Sequence, residues 1–375
     1  MDVFDLSIPR HSYIISELAG SAGNFGTVLP LLFAVSVACD MNITLILSWA
    51  GVWYILTGLY YRIPIPVEPL KAVGALAIAD HLSPHLIAAS GILMGIICIG
   101  IGFLGWMDRV RRIIPESVIR GVQLGLALIF IRSAVMGFVL PDILFAGVSA
   151  FIVLAFLIGK KYAHIPDLSA FCIIIFGFLV AFYLVGFPSF SFIPIPGFTI
   201  PTADEFIMAT ILLLPPQLPL TLTNAILATS LLICDLFQKT ESPDRLSKTV
   251  GVMSLSSSLF GGFPMCHGAG GLAAHYRFGA RGGLSLVFGG VLLFLIAGIC
   301  TDSDIVKALP VGIFGILLIV VATELIRHGL KTNNYLVTII IAALSVPFGL
   351  AAGFFTGLIL AWIIQYRDER KIHLI

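Results

Sequence analysis

Two stretches of this chain are broken by Pro, Gly and polar residues where unbroken apolar helix is otherwise the rule. The first is Ile63-Pro-Ile-Pro-Val-Glu68-Pro-Leu-Lys71 running on to Asp80, and the second is Gly261-Gly-Phe-Pro-Met-Cys266-His267-Gly-Ala-Gly-Gly271 running on to Arg277. They fall at corresponding places in the two halves of the sequence. Irregular backbone survives at membrane depth only where protein encloses it around a cavity. Paired interrupted segments are therefore the best sequence pointer to the midplane site of a secondary transporter.

The rest of the chain dictates the solvent. Hydrophobic residues make up 59% of the 375 and charged residues 11%, with a mean hydropathy of +1.07. That is too apolar for a water-soluble domain of this length, and an integral membrane protein in a lipid bilayer is expected. A formal net charge of +1 without a concentrated basic face argues against a nucleic-acid partner. The first twenty residues, with Asp2, Asp5, Arg10, His11 and Glu17, hold no apolar core of signal-peptide length, so the first span is expected to direct insertion. Cys39, Cys98, Cys172, Cys234, Cys266 and Cys300 have no C-x-x-C spacing and read as buried thiols. No metal site and no cofactor is predicted.

Apolar segments lie near residues 20–38, 43–61, 67–80, 86–106, 115–139, 142–159, 167–187, 217–235, 245–260, 266–276, 282–300, 304–326, 334–348 and 350–366. The reading is an all-α polytopic membrane protein of about fourteen transmembrane spans. Numbered from a cytoplasmic N-terminus, every loop on that side carries Lys or Arg: Arg62; Arg109, Arg111 and Arg112; Lys160 and Lys161; Lys239 and Arg245; Arg277 and Arg281; Arg327 and Lys331; then the tail Arg367, Arg370 and Lys371. The opposite loops carry none. This alternation predicts a multi-pass protein of the cell membrane with N- and C-termini both cytoplasmic.

Fourteen spans divide into two sevens. Gly23-Asn24-Phe-Gly-Thr-Val-Leu-Pro30 opens the first span as Pro216-Gln217-Leu-Pro219 opens the eighth, and a broken segment follows each two spans later. Seven is odd, so the second repeat must be inverted. The expected domains are residues 1–190, the first seven-span repeat; 191–216, an external linker with an interfacial amphipathic segment around 204–214; and 217–375, the second repeat.

The third span, 67–80, reaches only about 21 Å as helix, short of a hydrocarbon core of about 30 Å. Proline at 64, 66 and 69 forces an extended entry, and a helix start near Glu68 or Pro69 is predicted. The tenth span repeats this from the other side, with Pro264 ending the extended entry and a helix from Cys266 or His267. Spans 3 and 10 are thus broken half-helices whose N-termini face each other and together form an anion site. Gly268-Ala-Gly-Gly271 would let backbone approach an oxyanion closely, although small residues also serve close helix packing.

Glu68 and Lys71, three positions apart on the expected first turn, share a face. Lys71 is assigned to anion attraction and Glu68 to proton coupling or charge balance, the alternative being a mutual pair that pins the helix start. His267 would hydrogen-bond substrate or titrate in coupling, or be a satisfied core residue. Asn24, Gln217, Thr221 and Asn224 in spans 1 and 8 are candidate substrate donors, with interhelical hydrogen bonding as the alternative. Pro69, Ala72, Cys266, Gly268, Ala269 and Gly270 complete the predicted substrate-binding set. His275 reads as structural, Arg132 as paired locally or snorkelling, and Glu116, Arg120 and Glu324 as solvated at the cytoplasmic interface.

At these motifs the chain resembles the molybdate transporter family, relatives of the sulfate permeases and of the nucleobase transporters with a seven-plus-seven inverted-repeat fold. The resemblance is carried by Glu17-Leu-Ala-Gly20 with Gly23-Asn-Phe-Gly-Thr27, by Pro66-Val-Glu-Pro-Leu-Lys-Ala72, by Arg120-Gly-Val-Gln-Leu-Gly125, and by the long block Pro264-Met-Cys-His-Gly-Ala-Gly-Gly-Leu-Ala-Ala-His-Tyr-Arg-Phe-Gly-Ala-Arg281. It implies a core domain of spans 1–4 and 8–11, a gate domain of spans 5–7 and 12–14, and oxyanion binding between spans 3 and 10. It implies secondary-active import of molybdate, with tungstate competing, and a homodimer by analogy with fold relatives; H+ as the coupling ion is the expectation from Glu68. The family commonly has Asp at the position of Asn24 and Gln at that of Glu68, so a carboxylate is removed at one place and supplied at another. That exchange preserves site charge if the two residues are neighbours.

Sulfate permeases usually carry a regulatory domain after the last span; only a short tail follows Trp362 here, which favours the molybdate branch. A sulfate or nucleobase transporter on the same fold, and an anion channel, are the competing readings. An enzyme is disfavoured, because neither a nucleophile-base pair nor a G-x-x-x-x-G-K-[ST] loop is present.

Overall fold

The computed structural model describes residues 10–107, 109, 115–163, 169–189 and 193–372. Among the described residues, six helical runs are long and apolar enough to cross a membrane: Tyr13–Ala38, Ile43–Tyr61, Pro84–Leu104, Glu116–Val139, Ala203–Phe237 and Val311–Gly329. Leu59, Phe103, Leu144 and Phe151 stand exposed on the outer helix faces, a surface that only lipid solvates. The chain is an integral membrane protein. Arg111 and Arg112, part of the charge alternation, lie outside the described residues.

The first half runs α1 (Arg10–Ser21), α2 (Phe25–Ala38), α3 (Ile43–Tyr61), the two-residue strand β1 (Glu68–Pro69), α4 (Lys71–Asp80), α5 (Pro84–Leu104), α6 (Glu116–Ala134), α7 (Ile143–Ala163) and α8 (Ser169–Val185). The second half opens with the continuous helical run α9 (Ala203–Phe237). It continues through α10 (Pro243–Leu259), strand β2 (Met265–Cys266), α11 (Ala269–Arg277), α12 (Leu284–Ile299), α13 (Ser303–Ala308), α14 (Val311–Gly329), α15 (Tyr335–Phe348) and α16 (Leu350–Ile372).

Local chemistry starts these helices where it can. The Asn42 carboxamide oxygen accepts from Leu45 N at the head of α3, and the Ser83 hydroxyl accepts from Leu86 N ahead of Pro84 in α5. Thr202 and Glu205 form a reciprocal capping box on α9. That cap changes the expected linker. Residues 193–202 carry no regular secondary structure, but 203–216 are already helical and continue without a break to Phe237. Pro215, Pro216 and Pro219 are absorbed because π-helical turns at Ala209–Leu213 and Thr221–Ala228 flank them and rearrange the backbone bonds that proline cannot make.

Small residues set the main helix contacts. On α3 and α12 a Cβ at Gly290 would stand 2.6 Å from Gly51 O, and on α5 and α10 a Cβ at Gly251 would stand 2.7 Å from Gly95 O. The Ser247 hydroxyl adds a bond to Cys98 O at 2.8 Å. Further round, α6 packs along both α14 and α15, with Thr338 Oγ1 donating to Ser117 O at 3.0 Å. Such backbone approach is how helices associate when lipid removes the hydrophobic incentive. Cys39, Cys98, Cys266 and Cys300 are buried as expected, but Cys172 is half-buried and Cys234 exposed, because each sits on the outer side of its helix.

Glu17 ties α1 to the start of α12. It is fully buried, and its carboxylate accepts from Arg281 N at 2.6 Å, Gly282 N at 2.7 Å and Ser285 N at 2.9 Å, three donors around the start of α12. A negative group at a helix N-terminus satisfies both its orphan N–H groups and its dipole. Glu17→Ala strands those donors and is expected to destabilise the protein by about 3 kcal/mol or more. Glu116→Ala, which breaks only the exposed pair with Arg120, should cost under about 1 kcal/mol. Thermal unfolding of the two variants in detergent measures the difference.

Candidate functional site

The two broken segments cross in the middle of the protein. Glu68 pairs with Cys266 and Pro69 with Met265 in a two-stranded antiparallel ladder. Leu70 N donates to Pro264 O at 3.0 Å, and Ser254 Oγ to Met265 O at 2.5 Å. The prolines suit this position, since Pro64, Pro66 and Pro69 bring no N–H that buried extended backbone would have to satisfy. The ladder also moves the helix starts. α4 begins at Lys71 rather than at Glu68 or Pro69, and α11 at Ala269 rather than at Cys266 or His267, because residues 68–69 and 265–266 spend their backbone on each other. Glu68 therefore precedes the helix whose first residue is Lys71. Among the described residues this pairing is the only β-structure, and the regular elements are otherwise helical.

Glu68 and Lys71 nevertheless meet, with Oε2 of the carboxylate 2.8 Å from Nζ, and their side chains are 2% and 18% exposed. Glu68 is pressed against the start of α11. A Cβ on Gly268 would collide with its Oε2, and one on Gly271 with its Oε1 while standing 2.7 Å from Asn24 Nδ2. Gly268 and Gly271 are thus the seat of the carboxylate. No side chain caps α11, whose N-cap is Gly268, so its first-turn N–H groups and dipole face Glu68.

Beside this pair lies a cavity of about 40 Å³, lined by Glu68 and Lys71, by Gln217, Thr221 and Asn224 of α9, by Cys266, His267 and Gly270, and by Gln123 of α6 with Glu324 and His328 of α14. That volume suits a few waters or one small tetrahedral anion. Of the predicted residues, Asn24, Pro69, Ala72, Gly268 and Ala269 stand outside the lining. Asn24, the N-cap of α2, sits behind Glu68. Ala72 is engaged through its backbone: Ala72 N and Val73 N both donate to Gln217 Oε1, at 2.8 and 3.2 Å, and Gln217 Nε2 donates to Thr221 Oγ1 at 2.8 Å. Gln217 thereby caps α4 from across the cavity. The two half-helix starts are unequal, one capped by an amide and the other facing a carboxylate.

Both ring nitrogens of His267 are engaged. Nδ1 lies 2.8 Å from Pro66 O, which can only accept, so Nδ1 carries the proton and Nε2 accepts from the Thr249 hydroxyl at 2.8 Å. Tyr61 donates in turn to Thr249 at 2.7 Å. His275 is buried against α1, with Nδ1 bonded to Gly20 O at 2.7 Å. Arg132 is exposed. Gln123, Glu324 and His328 are the lining residues that sequence reasoning missed. Glu324 was expected in solvent at an interface, yet it faces Lys71 and would stand 3.2 Å from a Cβ on Gly270. Its signal was positional: Glu324 and His328 are one turn apart on a helix face that also carries Val321 and Leu325. The site therefore carries two carboxylates around one ammonium.

The model of a family described as "Molybdate transporter of MFS superfamily" matches residues 16–130 and 209–325, two blocks that carry one broken segment each. Molybdate transporter 2 of Arabidopsis thaliana is 31% identical over 94% of this chain and 88% of its own length. The chain belongs to the molybdate transporter family. Molybdate transporter 1 of the same plant is 29% identical over 94% of this family member and 89% of its own length.

The fold is shared with the transmembrane domain of a cyanobacterium bicarbonate transporter, BicA, at a TM-score of 0.69 and 17% identity, covering 94% of this chain and 98% of that one. It is shared also with the murine anion transporter Slc26a9 in the inward-facing state, at a TM-score of 0.74 and 15% identity, over 96% and 70%. Asn24 and Glu68, the two positions at which the resemblance leads one to expect Asp and Gln, face each other across Gly271 and are neighbours in space.

The seat of Glu68 is directly testable. Gly271→Ala forces Cβ into Glu68 and Asn24 and is expected to lower the melting temperature, at about 1–3 kcal/mol for an overpacked site. Gly100→Ala, where nothing lies within 4 Å of the added methyl, should leave it unchanged or raise it.

Proposed function

We propose that this protein is a secondary-active importer of molybdate, with the anion held in the cavity between Lys71 and the start of α11. The observation that carries the reading is the seat of Glu68. A carboxylate already occupies the lysine and the open helix N-terminus, the two positive features that an oxyanion needs. The substrate class follows from family membership, and tungstate, of nearly the same size and charge, competes.

The charge balance makes the import proton-coupled. At an effective dielectric of about 20, one negative charge about 4 Å from a dianion costs about 8 kcal/mol, as much as a micromolar ligand gains in total. A dianion therefore does not bind beside ionised Glu68 and Glu324 unless at least one is neutralised. A proton on Glu68 releases Lys71 to the anion and removes the competitor from α11. Thr221 and Asn224 are the remaining side-chain donors, while His267 and Gln217 hold the two broken segments in place.

In this reading the chain makes fourteen spans as a seven-plus-seven inverted repeat, with both termini cytoplasmic in the cell membrane, and it works as a homodimer. The group α1–α5 with α9–α12 forms the core domain that carries the site. The group α6–α8 with α14–α16 forms the gate, which presents Gln123, Glu324 and His328 to the cavity. Alternating access moves one group against the other.

Two outcomes test this. Molybdate binding to the purified protein should be displaced by tungstate and not by sulfate or uracil, and Lys71→Ala should weaken it at least about 100-fold, the value of a lost charge-assisted contact. Glu68→Gln, which removes the competing negative charge while keeping the shape, should bind molybdate at least as tightly as the parent in the same displacement assay. Displacement by sulfate or uracil in place of tungstate would overturn the substrate.

A further inference from the structure

Behind Glu68, on the side away from Lys71, four buried polar atoms among the described residues are left with unmet hydrogen-bonding capacity: Asn24 Nδ2, Tyr54 Oη, Glu68 Oε1 and His275 Nε2. All four residues are at most 2% exposed. They come from the start of α2, from α3, from β1 and from α11, and they converge. Glu68 Oε1 and Asn24 Nδ2 flank the space over Gly271. The Tyr54 hydroxyl lies within hydrogen-bond reach of the Asn24 amide, which leaves the phenol O–H and a second amide N–H still to place, and the Tyr54 ring meets His275 edge-on with centroids 6.2 Å apart. His275 is one turn along α11 from Gly271, on the same face. An unpaired buried polar atom costs about 1–3 kcal/mol, and native proteins keep very few. Four in one place share a ligand.

Their chemistry says which. Gly20 O can only accept, so His275 Nδ1 carries the proton and Nε2 presents a lone pair. Glu68 Oε1 accepts, Asn24 Nδ2 donates, and the Tyr54 hydroxyl donates. Two donors and two acceptors match one water molecule, which accepts twice and donates twice. A metal cation fits poorly, because an amide N–H turned inward repels it.

We propose that Asn24, Tyr54, Glu68 and His275 enclose an internal water that carries a proton between His275 Nε2 and Glu68 Oε1, apart from the anion cavity. The proposal rests on the reading of Glu68 as the coupling carboxylate. In the forward step imidazolium His275 gives its Nε2 proton to the water, and the water gives one of its own to Glu68 Oε1. A neutral imidazole, an intact water and a neutral carboxylic acid result, and the return step reverses each transfer. The two oxygens of Glu68 then serve two compartments: Oε2 holds Lys71 at the cavity, and Oε1 takes the proton from behind.

Glu68 is faced by Lys71 of α4, Cys266 of β2, His267, His275 of α11 and Tyr54 of α3, with Glu324 of α14 acting across Lys71. His275 is faced by Glu68 and Tyr54.

Infrared difference spectra of the anion-free protein across a pH titration test this. The carbonyl stretch of protonated Glu68 is identified by its loss in Glu68→Gln. Its titration midpoint should move by about one pH unit or more in His275→Gln and in Tyr54→Phe, the latter removing a hydroxyl and leaving the ring. A water band shifted by H2(18)O should disappear in both variants. An unchanged midpoint with the water band retained would overturn the proposal, as would a midpoint that follows sodium concentration. No anion is present, so failure of the parent to bind molybdate would overturn the transport reading alone and leave these shifts to be read.

Discussion

The buried contact between Glu68 and Lys71 is what the rest of the site is arranged around. Taking a carboxylate and an ammonium out of water costs several kcal/mol for each ion, and their mutual attraction repays that only with good geometry and further partners. Here the partners are structural. The carboxylate seats on Gly268 and Gly271 at the start of α11, and the ladder between 68–69 and 265–266 holds it there. Removing either ion leaves the other buried and uncompensated, so the pair is costly to break by half.

Two short helices that start beside the ladder make that pair possible. Continuous spans would bury every backbone donor within themselves and offer none to a solute. Two short helices that begin in mid-protein leave two sets of N–H groups inside, and the chain treats them differently. Gln217 reaches across to cap α4, which fixes one half-helix against α9. The start of α11 receives the charge that can be neutralised. His267 contributes rigidity here, bonded to Pro66 O and Thr249, so that the two extended entries cross at a fixed point.

Much of this was legible in the residues. Pro64, Pro66, Pro69 and Pro264 identified the extended entries, and Glu68, Lys71, Cys266, His267 and Gly270 were placed at the cavity from their positions in the broken segments. The helix starts were misjudged by a few residues because cross-pairing between Glu68 and Cys266, so distant along the chain, leaves no local trace. Glu324 was misread for a related reason. Hydropathy puts it near Arg327 and hence near an interface, but the depth of a residue in a bundle depends on which helix faces it, and Gly270 is the neighbour that brings it in. Glu17 carried no sign in the sequence of its three partners, which lie around the start of α12 more than 260 residues away.

In the proposed transport cycle Glu68 and the anion compete for the same positive seat, and that competition has one direct consequence for proton balance. Calorimetric titration of molybdate into the purified protein, repeated at one neutral pH in buffers of different ionisation enthalpy, counts the protons exchanged on binding. Competition predicts uptake of about one proton for each anion bound, since neutralising one carboxylate is what lets the dianion in. Tight molybdate binding with no proton uptake would contradict it, because the dianion would then sit beside an ionised Glu68.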